Sequence, residues 1–476
     1  MPAATTATHH LGLNDAAWLF AESHDAPMHI GVLATLTRPA GASPTYLHDL
    51  VTRWRAGRTF APPFNYLLRE WIRPHWQELP PEAVDLDFHL RHSALPAPGG
   101  ERELGVLVSR LHSTPLNRRR PLWECHVIEG LASNRWALYL KMHHCQVDGV
   151  GGIRLARRMF SVDPRARDML PPWAVGTVGP DQSGAPAAAP PTPPATGRGP
   201  GAGSGVGLGL GFVRPPLSAV TSLGRTYLES LTNLHAPARA VPFRAPGSLF
   251  NARVSHSRRF ATQRYPIDRL RRVAKLGGSS INDVFVTLCG AALRRYLLDL
   301  HALPDRSLTA TIPVSVRADG AAAIGNAITF LYAHLGTHVT DPVERLHAVR
   351  DSIRHGKSRL PRAGRTTMDA YTVALMAPVL GQAILGIGGR APAASNLVIS
   401  NVPGLAERRY YDGSLLEALY PLSLVLHGQV LNITAVSNAD TFCIGFTGGR
   451  DNVPHLQRIA VSCADALDEL EAALGP

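Results

Sequence analysis

Residues 136–152 read WALYLKMHHCQVDGVGG, a strand that runs into a glycine-rich turn. Successive side chains of a strand point to opposite faces. Trp136, Leu138, Leu140, Met142 and His144 therefore share one face, and Tyr139, Lys141 and His143 share the other. On that parity His144 follows an apolar row inward, while His143 leaves with the polar row. Asp148 comes four residues later, and Gly149, Gly151 and Gly152 suit a chain reversal with unusual dihedrals or close backbone approach. An imidazole at the end of a buried strand, with a carboxylate just beyond it, is how a general base is held and oriented. Other readings compete. Taken alone, an inward His is more often a hydrogen-bonded core residue. Adjacent strand residues diverge, so His143 and His144 cannot easily chelate one metal ion, and no Cys/His spacing elsewhere completes a site. Asp148 has two structural roles open to it, bracing the turn or pairing with an arginine.

The whole string is more specific than its parts. His143, His144, Asp148 and Gly149 form an HHxxxDG pattern that resembles the active-site motif of CoA-dependent acyltransferases and peptide-synthetase condensation domains. Pro121-Leu-Trp123, Ile281-Asn-Asp-Val284, Pro313-Val-Ser-Val-Arg317, Gly325-Asn326 and Ser400-Asn-Val-Pro-Gly404 all resemble segments of the bacterial wax ester synthase/acyl-CoA:diacylglycerol acyltransferase family. So does Pro27-Met-His-Ile-Gly31. The likeness runs from Leu11 to the last helix, interrupted by one long insert. It implies an α/β fold of two chloramphenicol-acetyltransferase-like domains, mixed sheets covered by helices, with the active site at the domain interface. It also implies transfer of a long-chain acyl group from acyl-CoA to diacylglycerol or a long-chain alcohol, with no cofactor and no metal.

In that chemistry neutral His144 takes the proton of the acceptor hydroxyl as its oxygen attacks the thioester, and returns it to the departing sulfur. The tetrahedral oxyanion needs a donor. Asn282, at the start of a predicted helix over 282–300, is a candidate because the helix dipole assists an amide there; the competing reading is an ordinary cap. By resemblance Asp148 pairs with an arginine and shapes the site, Arg317 being one partner, and Pro403 and Gly404 form a turn near the acyl channel. Leu405, Cys145 and Gln146 depart from the family's commonest residues. An acyltransferase acting on another hydroxyl, of a polyketide or glycolipid, is the alternative, as is a non-catalytic lipid- or CoA-binding relative.

At 476 residues the chain is long enough for two domains. Residues 1–170 are expected to form the N-terminal domain with the motif, 171–240 a Pro/Gly/Ala-rich linker, and 241–476 a C-terminal acyltransferase-like domain. The linker reading rests on GAPAAAPPTPPATGRGPGAGSG, which cannot bury enough apolar surface to order itself. Five cysteines without CxxC pairing suggest free thiols in a reducing cytoplasm. The net charge of +12 is spread over separated arginine pairs without interleaved aromatics, which argues against nucleic acid. Anionic lipid surfaces and CoA phosphates fit that charge equally well. Peripheral attachment to the inner membrane face or to lipid droplets is therefore expected.

The alternation over 27–36 predicts a strand, and helices are expected over 16–22, 46–56, 104–112, 153–160, 343–353 and 456–474. Strands are expected over 308–316, 327–335, 397–400, 423–426, 431–436 and 442–446. Residues 370–389 carry no charge and approach the length of a bilayer span, about 20 residues. A span there would separate segments that the resemblance needs together, so a buried helix or a lipid-facing surface is expected instead.

Overall fold

Most of these patterns become the expected elements in the computed structural model, which describes residues 7–70, 73–177, 240–315, 328–360 and 365–475. The first half runs β1 (Thr8–His10), α1 (Leu13–Ala21), β2 (His29–Thr37), α2 (Tyr46–Ala56), β3 (Tyr66–Arg69), β4 (His75–Glu78), α3 (Leu86–His89), β5 (Leu90–Ala94), α4 (Glu101–Ser113), β6 (Trp123–Leu131), β7 (Arg135–His143), α5 (Gly149–Met159) and α6 (Pro172–Val175). The second half brings β8 (Arg258–Pro266), α7 (Ile267–Leu276), α8 (Ile281–Asp299), β9 (Thr309–Ser315), β10 (Ile328–His334), α9 (Pro342–Ser358) and α10 (Arg365–Ile384). It closes with β11 (Leu397–Leu405), β12 (Tyr410–Tyr411), β13 (Ser414–Leu422), β14 (Leu431–Asn438), β15 (Thr441–Gly449) and α11 (Gln457–Leu474).

Two six-stranded mixed sheets result, in the orders β12-β13-β2-β7-β6-β5 and β10-β9-β11-β14-β15-β8, with a three-stranded sheet β1-β4-β3 beside them. The sheets do not divide where the sequence does. β12 and β13 come from the second half but complete the first sheet, β13 running antiparallel to β2 from Leu415↔Thr37 to Leu422↔Gly31. The sequence reading missed this strand and expected one at 423–426. A signal was present: Asp412 and Gly413 both take positive φ, 51° and 82°, as a two-residue hairpin turn requires. Trp136 Nε1 donates to Ser414 Oγ at 3.0 Å, and Arg53 pairs with Asp412, so the hairpin is fastened to the first sheet's own residues.

The cores interlock in the same way. Leu416, Ala418, Leu419 and Leu422 join the first core, while Ala21, Ala26 and Met28 join the second. Trp54, Trp123, Trp136 and Trp173 are all at most 1% exposed. Trp173 stacks on Trp123 at 5.4 Å and meets Trp54 edge-on at 5.5 Å; such pairs add about 0.5–1.5 kcal/mol each beyond their area burial. The chain therefore stays packed past residue 171, through α6. Residues 178–239, and with them most of the expected linker, lie outside the described residues, as do Arg317, Gly325 and Asn326.

No single described helix is long and apolar enough to cross a membrane. α7 and α8 pass that test as a pair bent by 96°, but α8 is buried along most of its length in the second core. The uncharged 370–389 stretch divides its surfaces. Leu380 and Ala383 of α10 pack against the second core, whereas Ile384, Leu385 and Ile387 at its C-terminal tip are 54%, 72% and 41% exposed.

Candidate active site

β7 stops at His143, so His144 is the first residue of a turn rather than the last of a strand. Its backbone N–H donates to the Met28 carbonyl at 2.8 Å, which fixes the residue against the start of β2. His144 is half-buried and its ring stacks on Trp18 of α1, with centroids 4.4 Å apart. Nδ1 is sealed from solvent. Burial lowers the imidazole to about 4, the Asp148 charge and its own backbone drawing it partly back. At neutral pH it is an unprotonated base.

His143 does not leave for solvent, contrary to the parity expectation. It is 1% exposed, its Nδ1 accepts the Cys145 N–H at 3.2 Å, and its Nε2 lies 3.5 Å from Glu22 Oε1. The reason is that α4 roofs the polar row. Lys141, 0% exposed, donates from Nζ to the Leu111 and Thr114 carbonyls and pairs with Glu124 at 3.0 Å. Tyr139 OH meets His112 Nδ1 at 2.8 Å in the same layer. Gly31 is required there, because a Cβ would fall 2.8 Å from the Tyr139 ring. That close approach accounts for the glycine of the Pro27-Met-His-Ile-Gly31 segment.

Glu22, just past α1, is the hub of this corner, and nothing in the sequence marks it. Its Oε1 accepts the Met28 N–H at 2.9 Å and its Oε2 accepts Arg118 Nε at 2.8 Å. Burial pushes the carboxyl up, but His143, Arg118 and the Met28 N–H outweigh it and hold it down at about 2. One carboxylate thus ties α1, the Met28 segment, His143 and the loop before β6 together. Trp18 was also missed; its helix was predicted, but a tryptophan stripe carries no signal of which ring it will cover.

Asp148 braces the turn. It caps α5, its Oδ1 accepting the Gly151 N–H at 2.7 Å, and among the described residues no arginine pairs with it. Arg317, the partner implied by resemblance, lies outside the described residues. Of the two uses expected for the motif glycines, unusual dihedrals and close approach, the first is absent; they form the first turn of α5, where Gly149 sits against Val402 (a Cβ would be 3.3 Å from its Cγ2).

Asn282 is not the helix cap. Ser280 caps α8 in a reciprocal box with Asp283, which leaves the Asn282 amide unused by the helix. Its Oδ1 accepts from Asn401 Nδ2 at 3.4 Å, joining the Ile281 and Ser400 segments. The link from these segments to the HHxxxDG helix runs through Val402, next to Asn401, which meets Gly149. Pro403 and Gly404 belong to an irregular stretch of β11 rather than a turn. Gly404 passes so close to β14 that a Cβ would lie 1.8 Å from the Ser437 carbonyl. Leu405 is buried in the first core.

A narrow apolar cleft lies between α1 and α10, lined by Ala21, Ala26, Met28, Val379, Ala383 and Leu426 among others. Met28 belongs both to this lining and to the backbone clamp on His144, so the cleft adjoins the histidine. Among the described residues one group has the makings of a metal site, His24, Asp25 and His256, on the surface.

The chain matches two family models: a wax ester synthase/diacylglycerol acyltransferase catalytic domain over residues 11–285, and the corresponding C-terminal domain over 324–471. A putative diacylglycerol O-acyltransferase of Mycobacterium tuberculosis is 42% identical over 98% of this chain and 97% of its own length. The O-acyltransferase WSD of Acinetobacter baylyi is 37% identical over 97% and 96%. Among solved structures, the wax ester synthase/diacylglycerol acyltransferase from Marinobacter aquaeolei VT8 superposes with a TM-score of 0.74, at 31% identity over 98% of this chain and all of that one. The first condensation domain of the calcium-dependent antibiotic synthetase shares the fold at TM-score 0.56 and 18% identity, covering 99% and 98%.

Proposed function

The chain belongs to the wax ester synthase/diacylglycerol acyltransferase family, and from that membership we propose that it moves a long-chain acyl group from acyl-CoA to the hydroxyl of diacylglycerol or a long-chain alcohol. The products are triacylglycerol or wax ester and free CoA. The observation that carries the reading is His144, an imidazole kept neutral by burial and clamped through Met28 beside an apolar cleft.

With Nδ1 sealed, Nε2 is the nitrogen that exchanges the proton. It takes the acceptor's hydroxyl proton while the oxygen forms a bond to the thioester carbonyl carbon. Collapse of the tetrahedral adduct breaks the C–S bond, and the proton passes to the CoA sulfur. The thioester is already activated, so neither a covalent enzyme intermediate nor a cofactor or metal enters. Asp148 acts as a positioning residue, holding the turn and α5. His143 and Glu22 hold the wall behind it. Asn282, freed from capping by Ser280, is the proposed oxyanion donor.

The lipid acceptor arrives through the exposed Ile384, Leu385 and Ile387 tip, which rests on a membrane or lipid-droplet surface at the cytoplasmic side. Purified protein given palmitoyl-CoA with dioleoylglycerol or hexadecanol should release CoA and form the matching ester. Absence of thiol release with both acceptors would overturn the reading; release only with a polyketide or glycolipid hydroxyl would move it to that acceptor.

A further inference from the structure

A second and larger groove, of 620 Å³, opens between α4, the start of β8 and the loop after α1. Arg110, Arg258, Arg259, Arg450, His24 and His256 line it, and none of its lining residues is a carboxylate. Asp25 stands beside His24, and Asp451 beside Ser255, whose hydroxyl it binds at 2.6 Å, so two acids meet the rim from outside the lining. Arg110, Arg259 and Arg450 have no carboxylate partner among the described residues. Other arginines are held by partners: Arg118 pairs with Glu22, Arg135 with Glu101, and Arg269 with Asp468 and Glu471, while Arg253, Arg294 and Arg345 donate to backbone carbonyls. A concave surface with unneutralised guanidinium groups and no acid in its lining concentrates a positive field and holds an anion with several phosphates.

The walls are rigid. Ser109 Oγ accepts the Phe260 N–H at 2.9 Å and Ser113 Oγ accepts the Arg258 N–H at 2.8 Å, so α4 and β8 are bonded side by side. Arg258 is 3% exposed and spends its guanidinium on the Ser255, Ser257 and Asp25 carbonyls, which fixes the rim and leaves its charge underneath. Two links lead from the groove towards the reaction centre. Its Thr114 carbonyl receives Lys141 Nζ, two residues before His143 on β7. Its His24 rim continues into Met28, which holds the His144 N–H; the four steps of chain from His24 to Met28 span at most roughly 14 Å.

We propose that this groove binds the phosphates of the acyl donor's nucleotide, an adenosine 3′,5′-bisphosphate-like polyanion whose pantetheine arm then leads the thioester towards His144. The inference rests on the acyl-CoA reading above. Its volume is that of a small-molecule site. The His24, Asp25 and His256 cluster belongs to the same rim, where the surrounding arginines oppose a cation and favour an anion.

The test is the triple variant Arg110→Gln, Arg259→Gln, Arg450→Gln, three groups at the groove surface that hold no other element. KM for palmitoyl-CoA should rise about tenfold or more for each guanidinium–phosphate bond removed, and the rise should shrink at high salt. kcat and the acceptor KM should stay near wild type. Turnover of the nucleotide-free thioester palmitoyl-N-acetylcysteamine should be unchanged. Calorimetry with 3′,5′-ADP alone should show binding to wild type and its loss in the variant. If wild type binds 3′,5′-ADP and the variant does not, while neither consumes acyl-CoA, the groove stands and the acyltransferase reading falls. Unchanged KM for palmitoyl-CoA, an equal loss with the nucleotide-free thioester, or loss of binding to anionic vesicles in place of 3′,5′-ADP would each overturn the proposal.

Discussion

His144 and its neighbour show how one residue of difference in chain position separates two roles. The strand ends between them, so His143 is locked under α4 against Glu22 while His144 turns towards Trp18. His144→Ala should leave the melting temperature close to wild type and lower the acyl-transfer rate by about two to four orders of magnitude, the usual range for a lost general base. Equal rates at matched folding would remove His144 from the mechanism. Because burial holds its imidazole at about 4, kcat/KM should be level through neutral pH and lose activity only as the pH approaches that value. Lys141 tests the opposite kind of residue, one that is buried and not catalytic. Lys141→Met strands Glu124 without its ammonium partner in the layer beneath β7, and breaking a buried pair in this way costs about 3–5 kcal/mol. Lys141→Met with Glu124→Gln should be less damaging in urea titrations than Lys141→Met alone, since no uncompensated charge remains. If the single change is silent, the pair does not hold the layer together.

At the scale of elements, α10 carries two functions on two surfaces. Leu380 faces the second core, so Leu380→Lys should reduce thermal stability by burying a charge. Ile384 and Leu385 are more than half exposed. Ile384→Lys with Leu385→Lys should keep the fold and weaken flotation with phospholipid vesicles. Retained flotation in the double variant would place the lipid contact elsewhere. The sequence identified this stretch by its missing charges but could not divide it, since hydropathy has no direction until a helix is docked. β13 was missed from sequence altogether, although Asp412-Gly413 is a hairpin signal; and only tertiary pairing decided that the hairpin would cross to the other half's sheet.

For the whole molecule, that crossing makes the halves interdependent. Residues 1–177 expressed alone would present β2 as an unpaired edge and lose the Trp136–Ser414 bond. This fragment should aggregate or melt without cooperativity, since exposed edge strands template association; a soluble, cooperatively melting fragment would refute it. Acid should also act on the molecule as a unit. His89, His112 and His144 are held by burial at about 4, 3 and 4, below the ordinary 6.5. Below 6.5 the unfolded chain binds protons that the folded chain refuses, so stability falls as the pH drops from there towards 4. Glu22 and Glu124, held at about 2, add a second loss as the pH falls from 4.5. Each histidine contributes on the order of 3 kcal/mol at full effect, and thermal melts from pH 8 downward should show a decline beginning near 6.5.

The sequence by itself determined what is local or spelled by a motif: the strand that delivers the histidine pair to the glycine-bearing turn, the long α8, and the family. Backbone periodicity and motif spacing operate over a few residues and need no partner to be read. Only the tertiary structure decided that both faces of β7 are buried, that Glu22 joins His143 to Met28, that Asn282 meets Asn401, and that Arg110, Arg258, Arg259 and Arg450 converge on one groove. These are interactions between residues up to hundreds of positions apart, set by how the two sheets and α4 pack, and no local pattern encodes them.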